Sequence, residues 1–312
     1  MARALHDPRQ GYYARKITGV GLRGDFTTTP MLSESPACAI AAWAGQALRE
    51  TGCRDLIEIG PGEGTLAAGV LRHLPWQVRW RTRLHLVETS APLAARQREL
   101  LGKKARWHET MENALEACGG KAVIWSNELV DAFPVRRFQK SPEGWREMAV
   151  HRDPGGKILE SLLPPAPLPD SSVFLETHPS GQCVEVHDSY RRYLTAWLPE
   201  WRSGRMLTID YGAPAEILYR RRPCGTLRAY LLQQRLEGMA IYDNPGRQDL
   251  TADVNFTDLR NWSQPWTGAG KLATFREFLT RWNPGSGATD PTLAEENGAG
   301  EAFLVLEQSP KA

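Results

Sequence analysis

Between a short apolar run, Asp55-Leu-Ile-Glu-Ile59, and an amphipathic stretch from Thr65 lies Glu58-Ile59-Gly60-Pro61-Gly62-Glu63-Gly64-Thr65. Glycines at such a junction let the backbone turn tightly and let a ligand approach the peptide plane at the carboxyl end of a sheet. The dinucleotide pattern places a small third residue five positions after the first glycine. Here that position is Thr65 and the third glycine is Gly64, so the spacing is i, i+2, i+4. Glu58, beside the turn, can accept hydrogen bonds from an amino-acid ammonium group, which a nicotinamide cofactor lacks. Glu88 closes the next apolar run, Arg83-Leu-His-Leu-Val87, where an acid would bind ribose hydroxyls. Glu109, after a third run, would stand beside a nucleobase. The expected cofactor-binding residues are therefore Glu58, Gly60, Pro61, Gly62, Gly64, Glu88 and Glu109, around a ligand with both a nucleoside and an amino-acid end.

S-adenosyl-L-methionine is such a ligand, and glycines at i, i+2, i+4 behind an acid are the form associated with its methyltransferases. A second polar group, Asn127-Glu128-Leu-Val-Asp131, follows the apolar run Ala122-Val-Ile-Trp125. Polar residues at the carboxyl end of a buried strand project into the crevice where open sheets bind ligands. A sulfonium methyl is already activated, so the protein has mainly to align a nucleophile and manage charge. A guanidinium acceptor has too high a pKa to be deprotonated beforehand. A pair of carboxylates would hold it, localise electron density on one nitrogen and take the proton as transfer proceeds. Glu128 is the first candidate for this role, with Asn127 beside it and Asp131 or Asp25 as the second carboxylate. Asp131 could equally cap the turn that follows.

These residues need a scaffold, and the patterning supplies one. A helix is expected from Ser35-Pro36, with Pro36 in its first turn, then a strand at 55–59 and a helix from Thr65 to about Leu74. A strand at 83–88, a helix from Pro92 to Leu101, a weaker strand at 105–108 and a strong one at 122–125 follow. Strands alternating with helices make an open parallel sheet covered on both faces. Residues 139–170 are rich in Pro and Gly and read as a hairpin insertion with an extended linker. A helix near 187–202 and a strand at 205–210 resume the alternation, 213–270 is irregular, and the spacing predicts a helix over Lys271–Trp282 and a closing strand at 302–306.

The 312 residues carry 38 Lys and Arg against 36 Asp and Glu, a net charge of +2, which gives no global field toward nucleic acid or a membrane surface. The Arg191-Arg-Tyr193 and Tyr219-Arg-Arg-Arg222 segments therefore read as solvated faces. No apolar run reaches the roughly 18 residues of a membrane span, and the start lacks a signal-peptide pattern. Five dispersed cysteines without a CxxC pair suit a reducing compartment. The expectations are a cytoplasmic protein, no metal site, no nucleic-acid partner and no membrane insertion. His178 and His187 lie nine apart and are not expected to form a ligand pair. The 11 Trp, 28 Gly and 22 Pro suggest broad apolar contacts and long shaped loops on a rigid scaffold.

Several motifs in one order extend this reading. Glu58 to Leu66, Ser126 to Val135, Asp210-Tyr-Gly212, Pro245-Gly-Arg-Gln-Asp-Leu-Thr251 and Val254-Asn-Phe256 resemble the MidA family. Gly11-Tyr-Tyr13, Gly24-Asp-Phe26 and Gly225 to Tyr230 carry the resemblance across nearly the whole chain. It implies an α/β Rossmann-like class I methyltransferase, with a mostly parallel doubly wound sheet, an inserted hairpin and linker region, and a C-terminal extension. It also implies S-adenosyl-L-methionine as cofactor and a protein substrate, since the mitochondrial branch of the family methylates an arginine on a respiratory complex subunit. Gly60, Gly62 and Gly64 then belong to the cofactor turn, and Asn127 and Glu128 to the active-site crevice. The family carries a helical segment before Gly-Tyr-Tyr, where only about ten residues stand here. A misplaced start or a missing substrate-covering element would account for that.

The expected organisation is a covering loop at 1–35, a core from 36–138 and 187–212, an insertion at 139–186, a cap at 213–300 and a closing strand and tail at 301–312. The favoured activity is methyl transfer from S-adenosyl-L-methionine to an arginine of a protein partner. A binding protein that retains the pocket, a small-molecule methyltransferase and a nicotinamide-dependent oxidoreductase are the rivals; the position of Gly64 and the presence of Glu58 oppose the last.

Overall fold

The computed structural model describes residues 1–15, 33–283 and 299–311. Its strands, in chain order, are β1 (Asp55–Ile59), β2 (Arg83–Val87), β3 (Ala105–His108), β4 (Ala122–Asn127), β5 (Arg136–Ser141), β6 (Gly144–Arg152), β7 (Ile158–Leu162), β8 (Cys183–Val186), β9 (Met206–Ala213), β10 (Arg228–Leu231), β11 (Gln234–Leu236), β12 (Asp249–Thr251), β13 (Val254–Asn255), β14 (Lys271–Thr274) and β15 (Phe303–Gln308). The main sheet runs in the order β14-β15-β9-β4-β1-β2-β3, with β13 beside β9. β3, β2, β1, β4 and β9 are parallel, while β15 is antiparallel to both β9 and β14. The chain builds outward from β1 through β2 to β3, then crosses to the other side of β1 with β4. That reversal opens a crevice between the carboxyl ends of β1 and β4. Ile59 pairs with Ser126 there, so Gly60 and Asn127 emerge side by side.

Strands buried on both faces are apolar throughout rather than alternating. Leu56 and Trp125 face one core, with the helices Ser35–Thr51, Thr65–His73 and Phe275–Trp282. Ile57, Ile59 and Ile124 face the other, with the helices Met111–Ala117, Asp188–Trp197 and Phe256–Ser263. Pro36 stands in the first turn of Ser35–Thr51, and Gly52 closes that helix at φ 70°. Pro199 limits the helix expected at 187–202, whose regular part ends at Trp197 before a short 3-10 turn.

Two smaller sheets stand beside the main one. β7-β6-β5-β8 is an antiparallel insertion that begins already at Arg136. β11-β10-β12 forms a roof, and its Ala229 and Leu250 pack on Leu5 and Tyr12 of the N-terminal segment. That segment, expected as loop, contains the short helices Ala2–His6 and Tyr12–Arg15. The helix expected over Lys271–Trp282 also differs. Lys271–Thr274 is β14, and the helix starts at a capping box in which Thr274 accepts from the Glu277 N–H and the Glu277 side chain accepts from the Thr274 N–H. Residues 271–282 thus join the main sheet and its cover rather than the cap. Among the described residues no helix is long and apolar enough to cross a membrane.

A buried polar chain lies under the sheet away from the crevice. Asp55 accepts from Arg83 at 2.5 Å and from His85 at 3.0 Å, and the other nitrogen of His85 meets His108 at 2.9 Å. Cys118 stands against this group, and burial pushes its thiol up to about 12. Spacing along the chain could not have shown this assembly, because the sheet register brings Asp55, Arg83, His85 and His108 together.

Candidate active site

The crevice opens into a cavity of about 900 Å³. Gly60, Pro61 and Gly62 form its floor. The Gly60 N–H donates to the Val87 carbonyl at 3.0 Å, which ties the turn to β2. Gly60 sits at φ 65°, and a Cβ there would lie 2.6 Å from Leu129 Cδ1. Gly64, expected to bind cofactor, is instead behind the turn. At φ 82° it starts the helix Thr65–His73 and packs on Gln97. Gly60→Ala is expected to cost roughly 1–2 kcal/mol of stability from the left-handed backbone and to weaken S-adenosylhomocysteine binding by at least about tenfold as Leu129 is displaced. Thermal unfolding and calorimetry would measure the two effects.

Gln97 makes the turn and the neighbouring acid one unit. Its buried amide donates to the Gly62 carbonyl at 2.7 Å and to Glu88 at 3.2 Å, while its oxygen accepts from the Trp107 indole at 3.0 Å. The other Glu88 oxygen accepts from the Ser90 N–H at 2.7 Å. Glu88 lines the cavity at the end of β2, and burial pushes its carboxyl up. Glu109 lies exposed at the rim beyond β3.

Glu58 is only 2% exposed, and its Oε2 has no hydrogen-bond partner among the described residues. Burial pushes its carboxyl up to about 8, with repulsion from Glu88 adding to the rise. A buried carboxylate oxygen without a donor is costly unless a ligand supplies one. An ammonium group beside the glycine turn would satisfy it. Glu58, the open backbone of Gly60 and Gly62, and Glu88 within reach of ribose hydroxyls thus suit a ligand with an amino-acid end and a nucleoside end.

The adjoining wall of the cavity is built by the chain leaving β4. Glu128 has φ 51°, rare for a residue with a side chain. Its N–H donates to the Ile209 carbonyl at 3.0 Å, and the Asn127 amide donates to Glu128 Oε1 at 3.0 Å. Asp131 also reaches the cavity; burial pushes its carboxyl up, and its Oδ2 accepts from the Thr251 hydroxyl at 2.6 Å. Asn127, Glu128 and Asp131 are therefore in one wall, whereas Asp25 lies outside the described residues.

Several wall residues carried no assigned role in the sequence. The Tyr13 hydroxyl donates to Asp249 at 3.0 Å, and His6 stacks on Tyr13 and donates to the Ala132 carbonyl at 3.2 Å. The Arg228 guanidinium lies 5.7 Å from the Tyr211 ring centre and 5.9 Å from that of Tyr230, and it pairs with Asp253 behind the wall. The signal for them was indirect, since Tyr13, Tyr211, Arg228, Tyr230, Asp249 and Thr251 all lie within motifs that look separate along the chain. In the segment 249–253, Asp249 and Thr251 are in the wall, while Asp253 holds Arg228 and Arg222. Elsewhere, Arg191 and Arg192 both pair with Asp188, and His178 bonds the Val173 carbonyl while His187 is buried.

Among the described residues, seven acidic side chains line the cavity (Glu58, Glu63, Glu88, Glu109, Glu128, Asp131 and Asp249), against one guanidinium, that of Arg228. Such a lining suits a cationic ligand, whose charge would draw the raised carboxyls of Glu58, Glu88 and Asp131 into their ionised form.

Comparisons with known proteins agree with this geometry. Residues 39–272 match the family Methyltransf_28, described as S-adenosyl-L-methionine-dependent methyltransferase. The chain is 30% identical over 313 residues to the mitochondrial protein arginine methyltransferase NDUFAF7 of Danio rerio, with 89% of this chain and 71% of the relative covered. It is 28% identical to NDUFAF7 of Homo sapiens, covering 88% of this chain and 65% of that protein. The chain thus spans about two thirds of the length of these relatives. A crystal structure of a COG1565 superfamily member from Burkholderia thailandensis bound to S-adenosyl-homocysteine superposes with a TM-score of 0.80 at 27% identity, covering 99% of this chain and 86% of that one.

Proposed function

Because this chain belongs to the Methyltransf_28 family of S-adenosyl-L-methionine-dependent methyltransferases, we propose that its methyl acceptor is an arginine side chain of a protein partner. The observation that carries this reading is the excess of carboxylates at the acceptor end of the cavity, where Glu128, Asp131 and Asp249 stand among Tyr13, Tyr211 and Tyr230. A guanidinium is a flat cation, and carboxylates with aromatic faces are the groups that recognise one. The NDUFAF7 relatives, named as protein arginine methyltransferases, support the same acceptor class.

When bound, S-adenosyl-L-methionine supplies a methyl group on a positively charged sulfur. Glu58 would hold the ammonium end and Glu88 the ribose hydroxyls, beside the wall formed by Asn127 and Glu128. Glu128 would align the acceptor guanidinium and draw its charge toward one oxygen, so that the nitrogen facing the methyl gains nucleophilic density. Asn127 holds Glu128 Oε1 in place for this. Glu128 would also take the proton that the acceptor nitrogen loses on methylation. Asp131 and Asp249 would balance the remaining charge, and the tyrosines would keep water from the reacting atoms.

The test is incubation with isotope-labelled S-adenosyl-L-methionine and a cell lysate, followed by mass spectrometric mapping of the label. Label on an arginine of a discrete protein is the expected result. Label confined to small molecules, or to other residue types, would refute the acceptor assignment. In parallel calorimetry, S-adenosylhomocysteine should bind and NAD should not.

A further inference from the structure

Asp210, in β9, is fully buried and does not line the cavity, yet the backbone carrying the acceptor-facing acid converges on it. One of its oxygens accepts the N–H groups of Leu129 at 3.1 Å, Val130 at 2.8 Å and Asp131 at 3.4 Å. The other accepts the N–H of Tyr211 at 2.9 Å. Three successive N–H groups can face one oxygen only if the chain folds back as soon as it leaves β4. The residue at that fold is Glu128, with φ 51°. Backbone of this kind persists only where its surroundings over-determine it.

We propose that Asp210 is a positioning residue whose carboxylate holds the 128–131 turn and thereby sets the acceptor-facing acid, the cofactor turn and the roof against one another. The first link is Glu128 itself, locked between the Ile209 carbonyl, which takes its N–H, and the three N–H groups that follow. The second is Leu129, whose Cδ1 occupies the space that a Cβ on Gly60 would need. The third is Asp131, whose carbonyl accepts the Ala252 N–H at 3.1 Å and whose side chain accepts from Thr251 in β12. Tyr211, also bonded to Asp210, is in the cavity wall.

Burial and the neighbouring Asp131 push the Asp210 carboxyl up, while the backbone N–H groups of Val130 and Tyr211 pull it back toward the ionised form. Both oxygens face N–H donors and must accept, whereas an asparagine would turn an NH₂ toward backbone N–H groups on one side or the other. A charged acceptor also makes shorter and stronger bonds to backbone N–H groups than a neutral one. Within the reading that Glu128 receives the acceptor proton, Asp210 acts on the reaction only through the geometry of Glu128.

Asp210→Asn in the full chain, followed by amide hydrogen exchange and steady-state kinetics, tests this. Exchange at Leu129–Asp131 should quicken by at least about tenfold, while β1 and β2 keep their rates. The kcat should fall by about a hundredfold, with the acceptor KM and the S-adenosylhomocysteine Kd within about threefold of wild type. A purely structural role would instead raise exchange across the sheet and move KM and Kd with kcat. Unchanged exchange at 129–131, or a kcat within about threefold of wild type, would overturn the proposal. Should the variant fail to fold, the wild type decides: the Leu129 and Val130 amides, outside any strand, must exchange as slowly as those of β4, and fast exchange there overturns the assignment. If the wild type methylates no arginine, the acceptor reading fails, while the exchange comparison still judges Asp210.

Discussion

Glu128→Gln is expected to lower kcat by about a thousandfold while leaving the affinity for S-adenosylhomocysteine within about threefold. Gln keeps the length and planarity of Glu, and its oxygen can still accept from Asn127, so the wall keeps its shape. The amide cannot take a proton, and it carries no charge to hold a guanidinium or to draw density onto one nitrogen. Loss of a positioned general base costs about 10²- to 10⁴-fold, and loss of a charge-assisted contact to the acceptor adds a rise in KM. Gly62 and Glu88 are held by Gln97 and Ser90 rather than by Glu128, so the cofactor end should keep its shape. A kcat within threefold of wild type would show that the proton goes elsewhere. Asp131→Asn then becomes the informative variant, because Asp131 is the other described candidate in the same wall and is fixed by Thr251.

The cofactor half of the site was legible in the sequence because it is local. Gly60, Pro61, Gly62 and Glu58 lie within five residues, and a strand, a turn and a helix position them without reference to the rest of the chain. Glu88 and Glu128 could be placed at the cavity for a related reason, since both stand where a parallel strand ends and ligands of open sheets gather. The third glycine, Gly64, has a further role that its spacing did not show, since its left-handed backbone starts the helix. The acceptor half is assembled from far-separated segments. Tyr13 meets Asp249, 236 positions away, and Asp131 meets Thr251, 120 away. No periodicity reports such meetings, and these short polar segments have too little apolar pattern to declare their strands. The β14 error has a different origin. Lys271-Leu-Ala-Thr274 is compatible with a helix, and only Thr274-Phe-Arg-Glu277, a capping box, marks where the helix begins.

Because Glu58 holds its proton up to about pH 8 in the free protein, binding of an ammonium-bearing cofactor should be strongly pH-dependent. The ligand meets the ionised form of Glu58, so below pH 8 the protein must first lose that proton. Each unit of pH below 8 should therefore weaken S-adenosylhomocysteine binding by up to about tenfold, or ~1.4 kcal/mol, until the carboxyl pKa of the complex is reached. Calorimetry in buffers of different ionisation enthalpy should register about one proton released per ligand near pH 7. Glu58→Gln should bind about ten- to a hundredfold more weakly at pH 8, with most of the pH dependence gone. Stability carries the opposite sign. The unfolded carboxyl titrates near its ordinary value of 4.5, below its folded value. Between those two pH values the folded state holds the extra proton, so stability falls as pH rises through the window and levels off above about 8. Urea unfolding across that range should show the decline in wild type and a shallower one in Glu58→Gln, where the raised carboxyl of Glu88 still contributes. Wild-type binding independent of pH, or an unchanged affinity in Glu58→Gln, would place the ammonium elsewhere in the cavity and leave the partnerless Glu58 oxygen without a ligand to explain it.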